Sequence, residues 1–158
     1  MQTYFVDANI LIYINKHYPN DINVFQPIWN NLDKLIDNNQ FFMPELIFQE
    51  VQNKDDFLEE WLKIRKHNIC LKINDEVQDE VNNLMTNYPN LIKIELIGAS
   101  GSSQNDPWLI AHAKISKNNA VILTDEKFKH SKINIPYICQ QEKINCIRLH
   151  EFMKSNNW

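Results

Sequence analysis

The chain alternates between short apolar runs and longer segments with helical spacing of their apolar residues. The short runs are rich in β-forming residues, which is typical of buried strands. They are TYFVD (3–7), QFFM (40–43), AVILT (120–124) and NCIRL (145–149). The intervening pattern predicts helices over about 8–17, 23–39, 44–52, 54–67, 75–88 and 106–117, a short helix from Pro136 and a last one at the C-terminal end.

Among the helices with a readable apolar stripe are the second helix and the helix over 54–67. In the second helix the stripe comprises Val24, Ile28, Leu32, Leu35 and Ile36, and Pro27 falls in the first turn, where proline is tolerated. In the helix over 54–67 it comprises Phe57, Trp61 and Ile64. We expect both stripes to face the core.

The alternation of strands and helices predicts the fold class. It favours an α/β protein with three α/β/α layers around a central, mainly parallel sheet of four to five strands. The 158 residues suit a single domain over 1–158 with one core. Because parallel strands joined by right-handed crossovers all end at one edge, we expect a functional site there.

Composition and charge narrow the class of protein. The formal net charge is −4 and no long block carries a single sign, so any nucleic-acid contact must rely on local basic residues. The first residues lack the pattern of a signal peptide, and no apolar run is long enough for a membrane helix. Three cysteines without CxxC spacing indicate reduced, packed thiols. We therefore expect a cytoplasmic protein with no membrane segment.

Four acidic residues fall where a site is expected. Asp7 and Asp125 directly follow apolar strands, Asp106 precedes Pro107 at the start of a helix, and Glu50 lies on the helix after QFFM. Taken singly, Asp106 suits a helix N-cap, Asp125 a turn and Glu50 an exposed helix face. Asp7 lies between two apolar runs, where an unpaired carboxylate is costly.

Taken together, the four acids predict a metal site. Carboxylates that are gathered in one place repel each other and remain ionised only around a cation. Oxygen ligands without histidine or cysteine suit Mg²⁺ or Mn²⁺. Such a metal typically handles phosphates.

Four segments in order resemble the motifs of the PIN-domain ribonucleases, which include the VapC-type toxins. They are YFVDANILI (4–12), PELIFQE (44–50), NDPWLIAHA (105–113) and AVILTDE (120–126). The chain is most similar to an uncharacterised PIN-like family, and the resemblance spans nearly its whole length. No single motif is specific, but their order and spacing agree with the predicted elements.

The resemblance implies roles for particular residues. Asp7, Glu50, Asp106 and Asp125 would hold the metal and carry catalysis. Asn9 and Thr124 would support them.

Some of these assignments stay open. The fourth acid is either Asp125 or Glu126, so the number of metal ions, one or two, is open too. Glu45 is a rival to Glu50 but points about 140° away on the same helix. Lys127, Lys129 and Arg65 are candidates for contacts with the RNA backbone.

The function that this resemblance implies is hydrolysis of RNA phosphodiester bonds by a divalent-metal-dependent endoribonuclease. Such a protein would be the toxin of a bacterial toxin–antitoxin pair, with an antitoxin protein as partner and a homodimer as a further possibility. The alternative is a catalytically weak or inactive PIN-fold module that acts through protein or RNA binding, with Trp29, Trp61 and Trp158 as candidate anchors.

Both glycines of the chain, Gly98 and Gly101, lie in the stretch GASGSSQN (98–105) that precedes Asp106. We expect residues 98–104 to form a mobile loop at the mouth of the acidic cleft.

Overall fold

A computed structural model describes residues 1–52, 56–91, 105–116 and 119–158. The predicted loop over 98–104 lies outside these residues. The strands are β1 (Thr3–Val6), β2 (Phe41–Pro44), β3 (Cys70–Leu71), β4 (Ala120–Leu123) and β5 (Asn145–Ile147). The α-helices are α1 (Ala8–His17), α2 (Gln26–Asp37), α3 (Glu45–Gln52), α4 (Asp56–Ile69), α5 (Asp75–Asn87), α6 (Asp106–Ser116), α7 (Ile135–Glu142) and α8 (Leu149–Ser155).

All five strands run parallel, in the order β3-β2-β1-β4-β5, so the predicted fold class is confirmed. Successive strands step outward from β1 to β3, and the chain then returns to place β4 on the other side of β1. The order therefore reverses between β1 and β4. In open α/β sheets, the crevice at such a reversal, outside the carboxyl ends of the strands, is the usual place for a ligand.

The register between β1 and β4 sets the geometry of that crevice. Val6 pairs with Leu123, and both side chains are fully buried. Each strand ends at that pair, so Asp7 and Thr124 leave the sheet side by side. The backbone N–H of Asp7 still donates to the carbonyl of Leu123 at 3.0 Å, which ties the two chain segments together.

The core lies between the sheet and its helices. Its largest fully buried side chains include Trp29 of α2, Phe48 of α3 and Phe152 of α8. Trp29 also donates its indole N–H to the Tyr18 carbonyl at 2.7 Å, which satisfies the polar atom of a buried ring. The central strands β1, β2 and β4 are largely buried on both faces, as expected for a parallel sheet, and the edge strands β3 and β5 are half-buried or exposed.

Two details of the predicted stripes were wrong. Val24 is 72% exposed because it lies in a 3-10 turn (Asn23–Phe25) before α2 begins. Ile64 is 76% exposed, and α4 instead buries Leu58 and Leu62 beside the predicted Trp61. The two-residue strand β3 was not predicted, since it is too short to have a periodic signal.

Among the described residues, none of the helices has both the length and the apolar character that a membrane span needs. The three cysteines are free thiols, with Cys139 buried and Cys70 and Cys146 half-buried.

Candidate active site

Asp7 and Thr124 form the centre of the site. Asp7 is 4% exposed and Thr124 is fully buried. The Thr124 hydroxyl donates to Asp7 Oδ2 at 2.9 Å, and its oxygen accepts the backbone N–H of Glu126 at 3.3 Å. Thr124 therefore orients the carboxylate that follows β1 and the turn that follows β4. The supporting role that the sequence predicted for Thr124 has this hydrogen bond as its physical basis.

Asp106 brings a second buried carboxylate, 5% exposed, from the first turn of α6. The helix begins at Asp106, as the pattern predicted. The cap position falls to Asn105, whose carbonyl accepts the N–H of Trp108 at 3.1 Å. Asp106 is therefore not the N-cap that its place before Pro107 suggested. Its carboxylate lies near the positive end of the helix dipole, which favours negative charge.

Glu50 reaches the same place from α3. The side-chain amide of Asn105 donates to Glu50 Oε2 at 3.2 Å, so the residue before Asp106 also holds Glu50. Glu45, on the same helix, forms an ion pair with Lys72 at 2.5 Å instead. The two glutamates therefore point in different directions, as the helical spacing predicted.

The turn after β4 places the two candidates for the fourth acid, Asp125 and Glu126, in different surroundings. Glu126 Oε2 accepts the N–H of Ile135, at the start of α7, at 3.1 Å, and its charge acts on both Asp7 and Asp106. Asp125 has its Oδ1 3.9 Å from Arg148 Nε. The structure thus brings Glu126 rather than Asp125 toward the two buried acids.

Burial and mutual repulsion disfavour the state in which Asp7 and Asp106 are both ionised. The pKa of Asp7 is raised to about 6, chiefly by burial, with the charges of Glu126 and Glu50 adding to the rise and the Thr124 hydrogen bond opposing it. Burial also raises the pKa of Asp106 to about 9, with the charge of Asp7 as the next cause. Since the two groups interact, they titrate as a pair that retains about one proton at neutral pH.

The other predicted residues lie around this centre or away from it. Asn9 is exposed in the first turn of α1, and that turn is closed by the N–H of Ile10, which donates to the Asp7 carbonyl at 3.1 Å. Lys127 and Lys129 are exposed in the loop between β4 and α7. The nearby Lys132 lowers the pKa of Asp106, so a basic residue that the sequence did not single out faces the acids.

Arg65 is engaged elsewhere. Its guanidinium makes a two-pronged contact with Asp33, at 2.5 and 2.7 Å, and donates to the Trp61 carbonyl at 2.9 Å. It also lies over the Trp61 ring, 4.4 Å from the centroid. These contacts link α2 to α4. They engage the guanidinium N–H groups that were predicted to contact the RNA backbone.

The oxygen ligands at the site suit a hard cation, but the described side chains do not form a preformed coordination site. Asp7, Asp106, Glu50 and Glu126 offer carboxylate oxygens, which are the ligands that Mg²⁺ and Mn²⁺ prefer. In the part of the chain that the structure describes, no three acidic, histidine or cysteine side chains converge closely enough to hold an ion as they stand. The electrostatic strain on Asp7 and Asp106 is what a bound cation would relieve.

Two site residues were missed from the sequence. Asn105 could have been found, because it is a polar residue next to Asp106 in the same motif. Arg148 directly follows β5, and no motif marks it.

The fold has relatives among solved structures. One is a chain in the crystal structure of VapBC2 from Rickettsia felis bound to a DNA fragment from their promoter, at 19% identity and a TM-score of 0.57, covering 93% of this chain and 98% of that one. Another is a chain in the structure of VapBC-1 from nontypeable Haemophilus influenzae, at 16% identity and a TM-score of 0.56, with the same coverage of 93% and 98%. The predicted resemblance to VapC-type PIN domains is confirmed at the level of the fold.

No curated protein matches the chain. A family model does match, over residues 4–158, and its description is Domain of unknown function (DUF4411). The match includes the strand ends and helix starts that carry the acidic residues. The chain belongs to the DUF4411 family.

Proposed function

We propose that this protein is a divalent-metal-dependent endoribonuclease that hydrolyses RNA phosphodiester bonds, and the toxin of a toxin–antitoxin pair. One observation carries the proposal. Asp7 and Asp106 are both buried, and each has its pKa raised by burial and by the charges of other acids in the same crevice. Such a pair destabilises the fold, and carboxylates with perturbed pKa values in a cleft are typical of functional sites.

Asp7, Asp106, Glu50 and Glu126 would hold an Mg²⁺ or Mn²⁺ ion. When bound, the ion would supply Lewis-acid activation of the phosphate and a lowered pKa for the attacking water. The protein's own part is positioning. Thr124 fixes the carboxylate of Asp7, Asn105 fixes Glu50, and the N–H of Ile135 fixes Glu126.

The basic residues near the crevice would guide the phosphate backbone. The charge of Lys132 lowers the pKa of Asp106, and Lys127 and Lys129 are exposed in the same loop. A narrow crevice admits a flexible single strand more readily than a duplex, because an unpaired strand can splay out its bases.

A partner protein is part of the proposal. The two similar structures are those of VapBC2 and VapBC-1, and this likeness supports an antitoxin protein as the partner of this chain. The alternative, a binding module without catalysis, loses two of its suggested anchors, since Trp29 is 2% and Trp61 6% exposed. Trp158 packs against Phe152 with ring centroids 4.9 Å apart.

The test is cleavage of a labelled single-stranded RNA pool with Mg²⁺, with Mn²⁺ and with EDTA. Asp7→Asn, Asp106→Asn and Glu50→Gln should each lower the rate by at least about a hundredfold, because removing even an outer partner of a metal ligand costs about 10–100-fold. Glu45→Gln is the matched control on the same helix and should cleave like wild type. Cleavage that is unchanged in EDTA and in Asp7→Asn would refute the nuclease and favour the binding module.

A further inference from the structure

A second pocket opens beside the acids, at the same edge of the sheet. Its volume is about 130 Å³, and its polar lining comes from Tyr13 and Tyr18 near the end of α1, Asp125 after β4, and Arg148 and His150 around the start of α8. None of these side chains is used in the proposed metal site. The pocket is therefore a separate place for a ligand group.

The charged residues of this pocket have unused hydrogen-bonding capacity. Arg148 Nε is buried and has no hydrogen-bond partner among the described residues. It lies 3.9 Å from Asp125 Oδ1, which is too far for a hydrogen bond. A buried donor without a partner is costly, so the pocket suits a ligand that offers an acceptor to Arg148 and a donor to Asp125.

The pocket also has an aromatic surface. Tyr13 is 39% exposed, and its ring lies beside His17, with centroids 4.1 Å apart and planes 33° apart. Tyr18 lies 6.4 Å from Tyr13, centroid to centroid. Exposed aromatic rings next to an arginine are the usual platform for an unpaired nucleobase.

The position of the pocket links it to the acids. Asp125 lines the pocket, and the next residue, Glu126, acts on Asp7 and Asp106. We propose that the pocket binds one nucleotide of the RNA strand next to the bond to be cut. The base would stack on Tyr13 and donate to Asp125, and Arg148 would donate to a phosphate oxygen or to an acceptor atom of the base. This inference rests on the proposed function for its substrate.

Asp125 gives the pocket a preference among bases. A carboxylate only accepts hydrogen bonds, so it favours bases with an amino group at their edge, as guanine, adenine and cytosine have and uracil lacks. In competition with a labelled RNA, GMP should displace at lower concentration than UMP. In Asp125→Asn, whose amide both donates and accepts, the two nucleotides should become alike.

The main experiment measures binding without cleavage. A fluorescein-labelled single-stranded RNA of ten mixed nucleotides is titrated with wild-type protein in EDTA, and anisotropy gives the Kd. Tyr13→Ala should weaken binding by about tenfold, the effect of losing one stacked base, and Tyr13→Phe should not. Arg148→Gln should weaken binding and reduce the slope of log Kd against log salt by about one.

Ile64→Ala and Lys63→Gln are the matched controls, because both side chains are exposed on α4. Both should bind like wild type, and thermal melts of all variants show whether they fold. If Tyr13→Ala and Arg148→Gln bind RNA with wild-type affinity while metal-dependent cleavage is intact, the pocket does not bind a nucleotide. The proposed nuclease function would then stand without it. Pocket-dependent binding without any cleavage would support the nucleotide site and refute the nuclease.

Discussion

The Thr124 hydroxyl donates to Asp7 Oδ2 at 2.9 Å, across the point where two neighbouring parallel strands end. This bond lowers the pKa of Asp7 against the burial that raises it. It connects residues 117 positions apart in sequence, and it exists because Val6 pairs with Leu123.

Thr124→Val removes the hydroxyl at nearly constant volume. We expect the pKa of Asp7 to rise further, so the acid limb of the pH–rate profile for RNA cleavage should move to higher pH. Thr124→Ser keeps the hydroxyl and should keep the wild-type profile. Matching profiles for the valine and threonine proteins would show that the bond has no role in tuning Asp7.

The choice of fourth acid is tested by a pair of adjacent variants. Glu126→Gln should weaken Mn²⁺ binding, measured by calorimetry, by about tenfold or more, because it removes one charge from the crevice. Asp125→Asn should leave Mn²⁺ affinity within about twofold of wild type. The reverse result would make Asp125 the ligand and remove Glu126 from the site.

Metal binding should release a proton. Asp7 and Asp106 retain about one proton near pH 7.5, since their pKa values are about 6 and about 9, and a bound cation needs both groups ionised. Calorimetric titrations with Mn²⁺ in buffers of different ionisation enthalpy should therefore give about one proton released per ion. No buffer dependence at pH 7.5 would contradict the raised pKa of Asp106.

Asp106→Asn should stabilise the metal-free protein at alkaline pH. The pKa of Asp106 rises from 3.8 in the unfolded chain to about 9 in the fold. The folded state therefore binds the proton more tightly, and stability is lost progressively as pH rises from about 4 to 9. We expect the melting temperature of Asp106→Asn in EDTA to exceed that of wild type by about 5 °C at pH 8, with a smaller gain at pH 5. Glu45→Gln, at a carboxylate whose pKa is lowered, is the control and should show no such gain.

The ionisation of buried His112 makes the stability of the fold depend on pH in the opposite direction, with loss at low pH. Burial on α6 lowers its pKa from 6.5 to about 4, and its Nε2 has no hydrogen-bond partner among the described residues. The folded state therefore holds the neutral ring, and stability is complete above about pH 6.5 and falls toward pH 4, by up to about 3 kcal/mol. Denaturant unfolding of His112→Leu should lack this loss, and His67→Gln, at an exposed histidine, should retain it.

Much of the fold could be predicted from the sequence, because a buried strand such as TYFV and a helix such as α5 carry strong local periodicity. β3 could not, because two residues carry no period. Asp7 and Thr124 were placed correctly at strand ends, since parallel topology fixes those ends.

The positions of Glu126 and Arg148 could not be predicted from local sequence patterns. Glu126 faces the acids because the N–H of Ile135 holds it from nine residues away. Arg148 becomes part of a pocket only because α1 packs near the start of α8, so that Tyr13 lines the same cavity. Such contacts are set by tertiary structure and leave no trace in spacing.

Asp125 and Glu126 are joined by a single peptide bond, yet one lines the pocket and the other acts on the buried acids. Consecutive Cα atoms across a trans peptide are about 3.8 Å apart, so the two places cannot drift relative to each other. A strand anchored by one base would therefore always present the same phosphate to the acids. The turn after β4 would thus fix the distance from the bound base to the cleaved bond, and the cleavage products would be enriched in end nucleotides whose base carries an amino group.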